Sequence, residues 1–175
     1  MLRLELALSV DLGRRSRNTT DWFDRLAEKA DGALTSQDKA RDHAQLRAQQ
    51  IVTFGPQLTA LIFDTVEASA KRFNERFHGE EQRIQLISKN PNGSSIKCQR
   101  TYYPSVLMEL EAGNGLLTCK ISTRKSDVDA YHEQVHRFRY EVDSNGTVYV
   151  KGDGGLYSED KIAEICLTPF FNFQR

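Results

Sequence analysis

The clearest helical repeat in the chain runs from Gly55 to His78, where apolar residues recur every three or four positions. This spacing places them along one side of an amphipathic α-helix. Pro56 suits the first turn of a helix, because its missing N–H needs no partner there, and Gly79 is a stop signal. Charged residues fill the opposite side, so the helix must lay its apolar side on another element. The apolar positions are Leu58, Leu61, Ile62, Val66, Ala70, Phe73 and Phe77.

Downstream of this helix the apolar period changes to two, which is typical of strands with one covered face and one wet face. Asn-Gly pairs begin at Asn92, Asn114 and Asn145, and this pair is favoured in two-residue hairpin turns. We therefore expect three hairpins, which form a six-stranded antiparallel meander with the long helix on its apolar face. The expected strand pairs are 83–89 with 95–103, 106–112 with 116–123, and 135–143 with 147–151.

The first part of the chain carries weaker signals. Residues 2–12 alternate large apolar residues with small or charged ones, which favours a half-buried strand, although leucine and alanine also suit a helix. Residues 20–54 favour helices, and we expect Gly32 to end the first and Ser36 to cap the second. The second helix has few apolar residues, which predicts a solvated connector or a surface that meets another copy of the chain. We expect Gly55-Pro56 to separate it from the long helix.

These elements predict an α+β protein with two parts. An N-terminal helical segment, with a possible leading strand, covers residues 1–54, and an α+β domain covers residues 55–175. The domain contains the long helix, the three hairpins and a short last helix that Ser158 caps.

Composition excludes several classes of protein. The chain has 175 residues, 39% of them hydrophobic, and a mean hydropathy of −0.56, which predicts a soluble protein with its own core. Its 24 basic residues balance 24 acidic ones, so no overall charge attracts nucleic acid or anionic lipid. No stretch approaches the ~20 apolar residues that a membrane-spanning helix needs. Three cysteines without a CxxC pair predict a cytoplasmic location.

The sharpest motif is His132-Glu133-Gln134-Val135-His136, which has the H-E-x-x-H pattern of zinc hydrolases. On a helix, His132 and His136 would share one face as metal ligands, and Glu133 would be the catalytic base. The flanking sequence favours a strand instead, on which the two histidines would stand about 13 Å apart, at ~3.3 Å per residue. A hydrolase with zinc as its cofactor is therefore an alternative function.

A second alternative is single-stranded nucleic-acid binding on the wet face of the sheet, with basic residues for phosphates and tyrosines for base stacking. Glutamates are interspersed among these residues, and the chain lacks a basic excess, so we consider nucleic acid an unlikely partner. The residues concerned are Lys97, Lys120, Arg137, Arg139 and Lys151, with Tyr103 and Tyr149.

The function that the sequence favours is a non-enzymatic interaction or regulatory module that needs no cofactor. No catalytic set can be assembled from the motifs, whereas two stretches resemble surfaces that bind a protein partner or a second copy of the chain. These stretches are the helices of residues 20–54 and the aromatic tail Phe170, Phe171 and Phe173. The sequence predicts no contact with a membrane and leaves the partner's identity open.

Overall fold

The structure of the chain is a computed structural model, which describes residues 17–77, 79–90 and 93–171. Contacts divide the chain into two compact units, Met1–Gln45 and Leu46–Arg175. The strand expected over residues 2–12 lies outside the described residues.

One helix, α1 (Arg17–Arg76), takes the place of the separate helices expected in the first half of the chain. The expected breaks at Gly32 and Gly55-Pro56 are therefore wrong. Pro56 lies inside α1, although a proline there removes a backbone donor and crowds the preceding turn. The helix continues because packing of the later turns, which bury Ile62 and Phe63 completely, outweighs the local preference.

Ser36 lies inside α1 and does not cap a new helix. Its hydroxyl donates a hydrogen bond of 2.8 Å to the carbonyl oxygen of Gly32, one turn earlier. Thr35 donates a similar bond of 2.9 Å to the carbonyl oxygen of Asp31. Because both hydroxyls bond to carbonyls of the preceding turn, they join an existing helix and cap no free N–H group.

The second unit contains one antiparallel sheet whose strands lie in chain order. Its strands are β1 (Gln85–Lys89), β2 (Ser95–Arg100), β3 (Ser105–Gly113), β4 (Leu116–Arg124), β5 (His132–Val142), β6 (Val148–Gly152) and β7 (Gly155–Tyr157). The α+β class and the antiparallel meander are confirmed, but the sheet has seven strands where six were expected. The additional strand, β7, is three residues long, which is too short to show an alternation in the sequence.

The chain reverses at each expected hairpin, but the turns differ in length. Asn114 and Gly115 alone join β3 to β4, with φ angles of 52° and 72°, so this turn has the predicted two residues. The turn between β5 and β6 is wider, and within it the Asp143 carboxylate accepts backbone hydrogen bonds from Asn145 and Thr147 at 2.8 and 2.9 Å. Hairpin pairing was therefore predictable, whereas turn type was not.

The core lies on one side of the sheet, between the strands and two helices. The second helix is α2 (Glu159–Leu167), and Ser158 caps it as predicted by accepting a hydrogen bond of 3.2 Å from the backbone N–H of Lys161. A single cluster joins the apolar row of the strands to α1 and α2. Its helical members are Ile62, Phe63, Val66, Ala70, Phe73, Ile162, Ala163, Cys166 and Leu167.

Two of the polar contacts between α1 and the β-sheet region involve buried or partly buried side chains. The hydroxyls of Thr59 and Tyr140, both buried, share a hydrogen bond of 2.5 Å. The Asn74 side chain donates to the carbonyl of Ile84 at 2.9 Å and accepts from its N–H at 2.8 Å. Asn74 thus satisfies both backbone groups of the residue that precedes β1, which sets where the sheet begins.

Candidate functional site

The H-E-x-x-H residues lie at the start of β5, so the strand expected for this stretch is confirmed. Successive strand residues point to opposite faces, which puts His132 and His136 in the row of buried Phe138 and leaves Glu133 on the other face. A zinc site of this type needs the two histidines one turn apart on a helix, and a strand separates them too widely. The described residues contain no group of three or more ligating side chains that could hold a metal ion.

The outer face of the sheet, which no helix of the second unit covers, pairs most of its lysines with glutamates. Lys97 lies 2.8 Å from Glu109 on the neighbouring strand. Lys120 and Lys151 have longer contacts, of 3.6 Å to Glu111 and 3.5 Å to Glu141 respectively. These pairs neutralise much of the basic surface that the sequence analysis considered for nucleic acid.

Arg137 and Arg139 differ from those lysines. Both are exposed on the outer face of β5, and neither makes an ion pair with another described residue. They line a groove of about 530 Å³ whose other walls include apolar Val135 and the carboxylates of Glu141 and Asp153. The groove therefore offers two guanidinium groups to an anionic ligand, beside two carboxylates that would oppose its binding.

A second groove, of about 480 Å³, includes Tyr103 and Tyr131 in its lining. The Arg124 guanidinium lies 6.0 Å from the ring centre of Tyr103 and 5.4 Å from that of Tyr131. The hydrogen bond that the Tyr103 hydroxyl makes to Asp127 raises the pKa of Tyr103. Because the two rings already contact a cation of the chain, they form a closed cluster more than an open stacking platform.

Tyr149, the other predicted stacking residue, is also partnered. Its hydroxyl donates a hydrogen bond of 3.2 Å to the Glu141 carboxylate. Loss of solvent around the hydroxyl, followed by this bond, raises the pKa of Tyr149. The structure therefore does not bring Tyr103 and Tyr149 together with the free arginines in one groove.

The first unit presents a different kind of surface. Every side chain of α1 that the structure describes there, Trp22 and residues 24–45, is exposed. The exposed fraction is 54% for Leu26 and 60% for Leu34. None of these described residues belongs to the hydrophobic core cluster.

The aromatic tail serves the chain's own core. Phe170 is fully buried, and Phe171 packs edge-on against Phe73 with ring centres 4.7 Å apart. Phe173 lies outside the described residues. A partner surface at Phe170 is therefore excluded, because its ring is already covered.

Arg100 is a buried residue that the sequence analysis missed, with only 2% of its surface exposed. Its guanidinium donates to the carbonyl oxygens of Pro104 and Phe170, which ties the tail to β2. Burial lowers the pKa of Arg100. The alternation of residues along β2 could have predicted this burial, because Arg100 lies in the same row as the apolar residues Ile96 and Cys98.

All three cysteines are buried, and two of them are in contact. The thiol of Cys166 on α2 donates a hydrogen bond of 3.3 Å to the sulfur of Cys119 on β4. Burial, with smaller contributions from Glu67 and Cys119, raises the pKa of Cys98 to about 12. The contact between Cys119 and Cys166 could not be read from their spacing along the chain.

Within the part of the chain that the structure describes, no helix has the length and apolar character needed to cross a bilayer. No protein-family model, curated protein or solved structure matches this chain.

Proposed function

We propose that this protein is a non-enzymatic association module in which two copies pair through α1 within residues 20–54. The exposure of every described side chain from Asp24 to Gln45 carries the proposal. An isolated helix with no packed face is marginally stable in water, so a partner helix is the usual source of its stability. The three reduced thiols support a cytoplasmic setting for this module.

The sequence of this stretch suits pairing with a second copy of itself. Residues separated by alternating steps of four and three form a seam of the coiled-coil type, and Gln37 occupies one seam position. Alanines at the seam allow two helices to approach closely. The stretch from Asp24 to Gln45 has five acidic and four basic residues, so two copies would not repel each other strongly. The remaining seam residues are Leu26, Ala30, Ala33, Ala40 and Ala44.

Sedimentation equilibrium of the full chain over a concentration series tests this proposal. Wild-type protein is expected to show reversible dimers, and the emission of Trp22, the only tryptophan, to shift as they form. Ala33→Glu places a charge in the seam of each copy. We expect it to weaken the dimer by about tenfold or more, which corresponds to ~1.4 kcal/mol.

Thr35→Glu is the matched control, because Thr35 lies on the opposite side of α1 from the seam and is also exposed. It should leave the dissociation constant within about twofold of the wild-type value, as expected for a surface change that removes no seam contact. A wild-type chain that stays monomeric at every concentration, or equal effects of the two variants, would contradict the proposal.

A second candidate function is the binding of single-stranded nucleic acid at Arg137 and Arg139. The observation in its favour is that these arginines line a groove without an ion pair among the described residues, unlike Lys97 or Lys151. Titration of a labelled oligonucleotide at several salt concentrations tests it.

In that titration, Arg137→Gln should reduce the slope of log affinity against log salt by about 0.7. Lys120→Gln is the control, because its ammonium group already contacts Glu111. If the oligonucleotide does not bind even at low salt, this function is excluded.

A further inference from the structure

The sulfur atoms of Cys119 and Cys166 are held in contact although the residues are 47 positions apart in sequence. Cys119 lies on β4 and Cys166 on α2, and both are fully buried. Their sulfurs are 3.3 Å apart, and a disulfide needs a separation of about 2.05 Å. Closing this gap requires the sulfurs to approach by little more than ~1 Å.

The third cysteine, Cys98, cannot take the place of Cys166. Cys98 on β2 pairs with Met108 on β3, which pairs with Ile121 on β4. Two strand spacings therefore separate Cys98 from the strand of Cys119, which is about 9.5 Å and exceeds the ~7 Å limit between the α-carbons of a disulfide. The fold thus excludes the pairing of Cys98 with Cys119, whereas it holds the sulfurs of Cys119 and Cys166 in contact.

We propose that Cys119 and Cys166 form a site of oxidative modification, at which a peroxide converts the two thiols to a disulfide that ties α2 to β4. The Cys119 sulfur, which accepts the hydrogen bond from Cys166, attacks one oxygen of hydrogen peroxide. The O–O bond breaks, the thiol proton leaves with the departing oxygen as water, and Cys119 becomes a sulfenic acid.

The Cys166 sulfur then attacks the sulfenic sulfur of Cys119. The S–O bond breaks, the S–S bond forms, and the Cys166 proton leaves with the hydroxyl group as a second water. Two thiols lose two protons and two electrons in total, and one peroxide becomes two waters. A dithiol reductant reverses the change by exchange.

Burial sets the conditions for this reaction. The hydrogen bond to Cys119, followed by loss of solvent, raises the pKa of Cys166, so the thiol form is stable at rest. Oxidation therefore depends on a small oxidant or on brief opening of α2, a helix of nine residues. Once formed, the bond would hold α2 and the following turn with Phe170 against the sheet, which restricts the unfolded chain.

The test uses the full chain, reduced, freed of reductant and treated with hydrogen peroxide in native buffer. Mass spectrometry after alkylation in denaturant should show one alkylated thiol, at Cys98, and a disulfide-linked peptide pair containing Cys119 and Cys166. The oxidised protein should have a higher Tm than the reduced protein, and dithiothreitol should remove the difference.

Cys98→Ala is the matched control and should form the same bond, whereas Cys119→Ala and Cys166→Ala should form none. Because core variants can disturb folding, wild-type protein oxidised in denaturant provides a second comparison and should give a mixture of pairings. A native product that links Cys98, or three thiols that all remain reactive after peroxide treatment, would overturn the proposal.

Discussion

Two stretches of α1, residues 24–45 in the first unit and residues 46–76 in the second, have the same secondary structure but different exposure to solvent. From Asp24 to Gln45 every side chain is exposed, with Leu34 at 60%, whereas Phe63 in the second unit is 0% exposed. Helix propensity and local hydrogen bonds support both stretches, but only the second has a buried face. The first stretch therefore depends on helix propensity or on a partner, while the second depends on the core of its own unit.

Phe63→Ala should have the largest effect on stability. It removes a fully buried ring from the core, which costs about 3–5 kcal/mol through lost burial and the cavity left behind. Urea unfolding followed by circular dichroism measures it. Leu34→Ala at a dilution where the chain is monomeric is the control and should change stability by less than ~0.5 kcal/mol. Equal losses from the two variants would remove the contrast between the stretches.

Pro56→Ala should stabilise the protein, because it restores a backbone donor inside α1. Proline costs about 3 kcal/mol relative to alanine inside a helix, and part of this is offset because proline restricts the unfolded chain, so we expect a gain of ~1–2 kcal/mol. Thermal unfolding measures the gain, with Gln57→Ala, also exposed, as the control. A loss of stability would mean that the turn at Pro56 is needed to seat Thr59 beneath Tyr140.

The continuity of α1 through Pro56 could not be predicted from local sequence rules. Proline and glycine rules describe a local preference, and the long-range packing of Ile62 and Phe63 decides against it. The strand alternation was predictable because each residue's face depends only on its immediate neighbours. The same rule correctly favoured a strand at His132. Applied to β2, it would also have predicted that Arg100 is buried.

Contacts between distant segments could not be predicted. Nothing in the sequence pairs Cys119 with Cys166, and the arginine groove depends on which glutamates each neighbouring strand brings to the lysines. β7 was missed because a strand of three residues carries no period. The sequence therefore predicts faces and elements better than it predicts sites.

The Cys98 thiol makes the packed region sensitive to alkaline pH. Burial raises its pKa from about 9.0 to about 12, so above pH 9 the unfolded chain loses this proton before the folded protein does. Stability should then fall as pH rises towards 12, by up to ~1.4 kcal/mol per pH unit. Cys98→Ala should have a shallower decline in urea unfolding between pH 9 and 10.5. Parallel declines for the two proteins would assign the effect to other groups.

Lys89 should give the smallest change in stability, because its ion pairs with α1 lie near solvent. Its ammonium group lies 2.6 Å from Asp64 and 3.1 Å from Glu67, which joins β1 to α1. The hydrogen bond to Asp64, then that to Glu67, raises the pKa of Lys89. Because these groups are partly exposed, Lys89→Met should cost only about 0.2–1 kcal/mol.

Salt distinguishes this ion pair from lost packing. Added sodium chloride should shrink the difference between wild type and Lys89→Met, since screening acts on charges near solvent. Lys71 and then Lys89 lower the pKa of Glu67, so acid should also remove the difference as Glu67 becomes protonated. A difference in stability between wild type and Lys89→Met that persists at high salt and low pH would contradict the ion-pair explanation. It would show instead that the aliphatic part of the Lys89 side chain packs on α1.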